Sequence, residues 1–589
     1  MKDQIKTLIF TIKLIFKISK KLFLIVLISS IISGIAPIIL LQITQKILNN
    51  IQSMTLPFNE VIKWIILYGS FSVFAMIFQN VNSYFATQFN ILLTHKMNYQ
   101  LMKKSSNLTL ERLEATETYD MITRLENEIS VKPYQSLMAL IGLVSAISSL
   151  SLSSFILFEW QKGLFFLSIA SSIVHFIAQL KISKKEFQMR YNRSDKEREL
   201  WYYSFLLTKD TAFKEVKVLN LKDYFLNRYW KLVQVFIKEE NHINKLSIFF
   251  NFVMAFIQEI IILIVMFMAI REAYLGIILI GTAHIYMNIV GRIQGSIQGL
   301  AAQIHSVYDS NLYMKLLKEF LSLEEERKDG NTELYAVEEI KVTNLTYSYP
   351  NKKEVLKTLN FEISRGERVA IVGENGSGKS TLLKLLCGLY EPTSGLITIN
   401  GTALSEINRK SYKESISVLF QDFLKFEGSL LDNIHIGHIE KEKEKNDIKK
   451  MLEFANVNFL KEKGDYIYEQ YLGNWFKGGS QLSGGQWQKI ALARTYYKDA
   501  SLYLLDEPSS SLDVNAEIEI FKSFFQRSEH RIGVFITHRV RIAKQAEKII
   551  VMDRGEVIDI GDHQHLYENC QLYRDLLLKE TNLDIGVSK

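Results

Sequence analysis

The run Val369 to Leu386, VAIVGENGSGKSTLLKLL, decides the fold of the half of the chain that contains it. Val369-Ala370-Ile371-Val372 is a short apolar segment of the kind that fills a buried parallel strand. Gly373-Glu374-Asn375-Gly376-Ser377-Gly378-Lys379-Ser380 fits G-x-x-x-x-G-K-[ST], and Thr381-Leu382-Leu383-Lys384-Leu385-Leu386 begins an apolar helix. In this strand, loop, helix order the loop's N–H groups and the helix N-terminus attract phosphate oxygens, so Gly373 through Thr381 form a candidate nucleotide cradle. Lys379 is expected to contact the β- and γ-phosphates, and Ser380 to bind Mg²⁺.

A second apolar segment, Leu502-Tyr503-Leu504-Leu505, delivers Asp506 and Glu507 at its carboxyl end, where parallel α/β sheets bind ligands. Two adjacent acids there invite two roles. Asp506 would hold Mg²⁺ through water, and Glu507 would polarise the water that attacks a phosphoryl group.

A chain of 589 residues exceeds one ordinary domain. Residues 1–330 are dominated by long apolar runs, and residues 338–589 alternate short apolar strands with charged, Gly-containing turns. A helix needs about 20 mainly apolar residues to cross a hydrocarbon core of about 30 Å. Six stretches qualify, near 22–44, 61–85, 134–157, 163–181, 246–271 and 273–292. The third and fourth are joined by Phe158-Glu159-Trp160-Gln161-Lys162, and the fifth and sixth by a turn around Arg271-Glu272, so both pairs read as hairpins.

The long connections, about 86–133 and 182–245, fall on the other side. Lys2, Lys6, Lys13, Lys17, Lys20 and Lys21 precede the first span and Lys181, Lys184, Lys185, Arg190 and Arg193 follow the fourth, which makes that side cytoplasmic. The net charge of +7 reflects this bias and is no sign of nucleic-acid binding. The lysine-rich start is expected to be retained rather than cleaved, and to lie on the inner leaflet with Ile5, Leu8, Ile9, Ile12, Ile15 and Phe16 toward lipid. The two cysteines, Cys387 and Cys570, both fall in the α/β half and offer no disulfide framework.

With these pieces in place, the α/β half resembles the nucleotide-binding domain of an ATP-binding cassette transporter. Gln481-Leu482-Ser483-Gly484-Gly485-Gln486 resembles that family's signature motif, and Gln421 its Q-loop, implying contacts to nucleotide and metal. His538 resembles the switch histidine, Ser510-Ser511-Leu512-Asp513 the D-loop, and Tyr349 the aromatic residue that stacks on adenine. The resemblance implies ATP and Mg²⁺ as cofactors, with Lys379, Glu507 and His538 as the catalytic set. It also implies head-to-tail pairing, in which Ser483, Gly484, Gly485 and Gln486 of one copy face the phosphate loop of the other. A homodimer with two competent sites is the simplest implication, and an obligatory heterodimer the alternative.

Six spans followed by a cassette resemble a half-transporter of the exporter type in a bacterial cytoplasmic membrane, with coupling helices near Leu108–Tyr119 and Lys209–Leu219. The segment Tyr471 to Ser480, YLGNWFKGGS, with Trp487 after the signature, resembles exporters of lanthionine-containing peptides, which would bring a peptide substrate and peptide-modifying enzymes as partners. A lipid or hydrophobic-drug exporter is the alternative, and a non-transporting regulatory ATPase a third reading. A cysteine peptidase is excluded, because the first thiol is Cys387 inside the phosphate-loop helix. Glu259, His175 and His284 are the leading intramembrane pointers to a substrate path, ahead of Gln79, Asn80 and Asn288.

Overall fold

A computed structural model of the chain describes residues 2–54, 57–326, 330–350, 353–457, 468–509 and 512–586. It divides into two units: residues 1–107 with 116–324, and residues 108–115 with 325–589.

The first unit is helical. After α1 (Lys2–Ile18) come the long helices α2 (Lys20–Ser53) and α3 (Phe58–Ser106), then, beyond the five-residue α4 (Leu110–Glu114), α5 (Thr116–Glu128), α6 (Lys132–Trp160) and α7 (Lys162–Asn192). The shorter α8 (Ser194–Thr208) and α9 (Asp210–Val218) lead to α10 (Lys222–Tyr274) and α11 (Ile280–Leu321). At 53 residues α10 is about 80 Å long, far more than a hydrocarbon core requires, so it continues well beyond the membrane.

The first five expected spans lie within α2, α3, α6, α7 and α10, and among the described residues these are the five helices long and apolar enough to cross a membrane. The sixth expectation needs correction at its start. Residues 273–292 straddle a break: α10 runs to Tyr274, and α11 starts only at Ile280. The stop is Gly276, at φ +71°, with the N–H of Ile277 closing onto the Glu272 carbonyl at 2.9 Å. Arg271 and Glu272 stay helical, and the Glu272 carboxylate accepts from Trp160 Nε1 at 2.9 Å. The rest of that stretch opens α11, whose apolar run is more polar than those of the other five helices because His284, Asn288, Arg292, Gln294 and Gln298 interrupt it.

Helix α1 is present, but the face packed on its own unit is Thr7, Thr11, Ile15 and Ile18, spaced about one turn apart. Of the expected lipid face, Ile15 is therefore buried in protein while Ile9 is about half exposed, and Lys6, Lys13 and Lys17 are exposed.

The second unit holds two sheets. An antiparallel one, in the order β2-β1-β4-β5, contains β1 (Glu339–Ser348), β2 (Glu354–Ser364), β4 (Ser394–Ile399) and β5 (Thr402–Ala403). The other contains β3 (Arg368–Gly373), β6 (Ile416–Leu419), β7 (Leu502–Asp506), β8 (Ile532–Ile536), β9 (Lys548–Asp553) and β10 (Glu556–Gly561), in the order β10-β9-β3-β8-β7-β6. All its neighbours pair in parallel except β10 with β9. The side-chain period of two divides each strand between two cores: Ala370, Val372, Tyr503 and Leu505 enter one, and Val369, Ile371, Leu502 and Leu504 the other. That is why these strands read as unbroken apolar runs. The helices include α12 (Lys379–Leu386), α13 (Arg409–Ser415), α14 (Leu430–His435), α15 (Lys445–Phe454), α16 (Gly484–Tyr497) and α17 (Val514–Arg527).

The small helix α4 belongs to this second unit although it lies between α3 and α5 in sequence. Leu110 packs against the core beneath β1 and β2, Glu111 accepts from the Tyr347 hydroxyl at 2.7 Å, and Glu114 accepts from the Tyr390 hydroxyl at 2.6 Å.

Candidate functional site

Four adjacent parallel strands explain how residues up to 165 positions apart meet. β3, β8, β7 and β6 lie side by side, and their carboxyl ends deliver respectively the Gly373–Ser380 loop, His538, Asp506 with Glu507, and Gln421.

The phosphate loop needs its glycines for definite reasons. Gly373 lies where a Cβ would meet the Met552 carbonyl oxygen at 2.1 Å, and Gly378 sits at φ +101° with the Leu356 side chain 2.5 Å from its absent Cβ. Lys379 is buried and folds back over the loop, donating to the carbonyls of Gly373 at 3.0 Å and Glu374 at 2.9 Å. Burial pulls its ammonium pKa down, opposed by the Glu507 and then the Asp506 carboxylates. Glu374, Asn375 and Gly376 are exposed along the loop, Ser377 is buried, and Ser380 is exposed at the start of α12.

Asp506 is buried, and its Oδ1 has no hydrogen-bond partner among the described residues. Burial pushes its carboxyl pKa up, with the Ser380 hydroxyl the main opposing influence. An unspent carboxylate oxygen beside a serine hydroxyl is a donor set that suits a hard divalent cation. Glu507, one residue on, takes a left-handed conformation at φ +46°, which turns it away from its neighbour. Gln421 Nε2 donates to one of its oxygens at 2.8 Å, and His538 Nε2 contacts the other.

Tyr349 sits at the edge of an aromatic cluster, edge-on to Tyr347 at 5.1 Å and to Tyr390 at 5.7 Å, with its hydroxyl 3.2 Å from Thr381 Oγ1. At the signature segment, Ser483 is the N-cap of α16 and forms a capping box with Gln486. Ser483 and Gly484 are exposed, so that helix N-terminus faces outward. Trp487 is a fully buried core residue, so its part is in packing.

Sequence reasoning missed Glu517. This fully buried carboxylate on α17 accepts from Ser509 Oγ at 2.5 Å and pairs with Arg539, so it ties the segment after Glu507 to the neighbour of His538. Of the resembling D-loop, Ser510 and Ser511 lie outside the described residues. In the helical unit, His175 sits between Asn251 and Gln258, His284 lies 3.4 Å from the Asn288 amide on its own helix, and Glu259, Gln79 and Asn80 are exposed. Arg292 was overlooked; it makes no ion pair among the described residues.

The family profile described as ABC transporter matches residues 356–510, and the profile described as ABC transporter transmembrane region matches residues 22–297. The subtilin transport ATP-binding protein SpaT of Bacillus subtilis is 41% identical over 569 residues, covering 96% of this chain and 93% of its own. The chain belongs to the ABC transporter family. Another relative of this ABC transporter, the nisin transport ATP-binding protein NisT of Lactococcus lactis subsp. lactis, is 36% identical over 98% of the chain and 96% of its own length. The solved structure of a bacterial Atm1-family ABC exporter with ATP bound shares the fold of the transporter, with a TM-score of 0.81 at 20% identity over 96% of this chain and 98% of that one. The transporter is thus a multi-pass membrane protein of exporter architecture, an ATPase that couples hydrolysis to transport, and as a half-transporter it works as a dimer.

Proposed function

We propose that two copies of this chain export a lanthionine-type peptide, leader-bearing or modified, across a bacterial cytoplasmic membrane. The observation that carries the reading is extent: the subtilin and nisin transport proteins match the chain nearly end to end, whereas a β-(1→2)glucan export protein of Bartonella bacilliformis matches 42% of it.

Hydrolysis is assigned as follows. Gly373 to Thr381 cradle the phosphates, Lys379 leaves its carbonyl partners for them, and Tyr349 offers a ring to the adenine. Ser380, Asp506 and Gln421 would hold Mg²⁺, which supplies charge neutralisation on the phosphate oxygens. Glu507, its carboxylate fixed between Gln421 and His538, orients the attacking water and takes its proton at Oε1 or Oε2. Ser483, Gly484, Gly485 and Gln486 of the second copy complete each site from across the dimer. ATP favours the closed pair, so binding drives closure, and loss of the γ-phosphate reverses it.

The test is ATP hydrolysis by the purified protein in lipid nanodiscs, titrated with precursor peptide, modified leader-bearing peptide and leaderless core. Saturable stimulation by one peptide class is the expected result. Stimulation confined to lipids or hydrophobic cations would replace the substrate with the alternative class.

A further inference from the structure

Between α7, α10 and α11 lies a cavity of about 340 Å³, at the small end of the range of about 300–1,000 Å³ that suits bound ligands. Ser172, His175, Asn251, Gln258, Gln294 and Gln298 give it a polar lining that holds no acid, lysine or arginine. Helix rise places it in the membrane. His175 is about 20 Å along α7 from Lys162, Gln258 about 24 Å along α10 from Tyr274, and Gln294 about 21 Å along α11 from Ile280, all counted from the short-connection side. In a core of about 30 Å that is the inner third.

The polar groups form one directed chain. Gln298 Nε2 donates to Gln258 Oε1 at 2.9 Å, Gln258 Nε2 lies 3.3 Å from His175 Nδ1, and His175 Nε2 lies 3.2 Å from Asn251 Oδ1. A neutral imidazole protonated on Nε2 satisfies all three. Two groups remain unspent. Ser172, 1% exposed, has a hydroxyl without a partner among the described residues, and Gln298 Oε1 accepts no hydrogen bond among them. Leaving a buried hydroxyl unpaired costs about 1–3 kcal/mol, and the Ser172 side chain borders the cavity, within one χ1 rotation of facing it.

The cavity also opens beside an unusual helix face. From residue 281 to 311, α11 exposes no large apolar side chain, whereas α3 and α10 expose many. Gly291 and Gly295, respectively two turns and one turn before Gln298 on the same face, have nothing within 4 Å of where a Cβ would stand. That face is unsuited to lipid and leaves room for a main chain.

We propose that this pocket binds the backbone amides of the transported peptide: Gln298 Oε1 accepts a peptide N–H, the Ser172 hydroxyl rotates toward the cavity and donates to a peptide carbonyl, and the open strip at Gly291 and Gly295 admits the chain. This rests on the peptide-export reading and adds the site. It suits substrates of varied side chains, because every peptide carries the same backbone groups, and it disfavours ammonium or phosphate groups, for which no counter-charge lines the pocket.

The test compares wild type, Gln298→Leu, Ser172→Ala and the exposed control Ser151→Ala in nanodiscs, titrated with a modified leader-bearing precursor peptide. Gln298→Leu should raise the half-maximal peptide concentration roughly five- to tenfold, as the loss of one or two hydrogen bonds predicts, with Ser151→Ala matching wild type. A second readout uses the burial of both native cysteines: Gln298→Cys should react with a maleimide, and the peptide should protect it. Wild-type half-maximal concentrations in both pocket variants, together with no protection, would overturn the site while leaving peptide export standing. A wild type deaf to every peptide would overturn both, and is told apart by that silence.

Discussion

The hydroxyl of Tyr390 donates to Glu114 at 2.6 Å, and the same carboxylate receives Lys384 Nζ at 3.3 Å. Tyr390 stacks on Tyr347 at 5.2 Å, and Tyr347 is edge-on to Tyr349, whose hydroxyl meets Thr381 on α12. A continuous set of contacts therefore runs from α4 to the helix behind the phosphate loop. Burial and Glu114 hold the Tyr390 hydroxyl protonated well above the usual tyrosine range, so it stays a donor. Glu114→Ala removes the charged acceptor of that hydroxyl, a hydrogen bond worth about 1.5–3 kcal/mol. Peptide stimulation of ATP hydrolysis should fall severalfold in this variant, while unstimulated hydrolysis stays within about twofold of wild type. Equal stimulation in both proteins would remove α4 from the coupling route.

Replacing Glu507 by Gln keeps the shape that Gln421 and His538 grip and removes the proton acceptor. Hydrolysis should drop by about 10²- to 10⁴-fold, the usual worth of a positioned base, with ATP still bound. Turnover measured beside retention of radiolabelled ATP decides it: rapid turnover would strip Glu507 of its role.

For Lys379 the expected loss is of affinity. Lys379→Ala removes the one loop cation that closes over Gly373 and Glu374, and a charge-assisted phosphate contact is worth about 1.5–3 kcal/mol, or at least tenfold in Kd. Equilibrium binding of a fluorescent ATP analogue reads this directly. Unchanged affinity would count against the assigned cradle.

Chelation of divalent cations should abolish hydrolysis, and the metal requirement should depend on pH through Asp506. Burial raises this carboxyl, so on acidification it takes up a proton before an ordinary aspartate does and loses the charge proposed to hold the cation. The half-saturating Mg²⁺ concentration should therefore rise as pH falls, and Asp506→Asn should raise it at neutral pH and flatten the dependence. A wild-type requirement independent of pH would place the metal elsewhere.

The nucleotide machinery was legible because strand ends are punctuated in sequence: a glycine-rich loop follows Val372, and two acids follow Leu505. Parallel pairing then did the assembling. Glu517 was hidden because one acid on an amphipathic helix looks solvated until the fold buries it beside Ser509 and Arg539. At the end of α10 the charges at 271 and 272 drew the turn too early, since the glycine that closes the helix lies four residues beyond Glu272. In the membrane, ranking by charge selected Glu259 and passed over Gln258, its neighbour. The exposed acid makes no ion pair among the described residues, whereas the buried amide organises a hydrogen-bonded chain.

The second unit borrows residues 108–115 from the middle of the helical sequence, and this bears on how the protein is made. Leu110 leaves the ribosome more than two hundred residues before β1, the first strand of the sheet it packs beneath. At about 5–20 residues per second, that apolar segment waits roughly 10–45 seconds for its partner. The α/β unit completes its fold only by capturing a helix synthesised long before it. A ribosome stalled before β1 should therefore show residues 108–115 open to protease, and one released after β10 should show them protected.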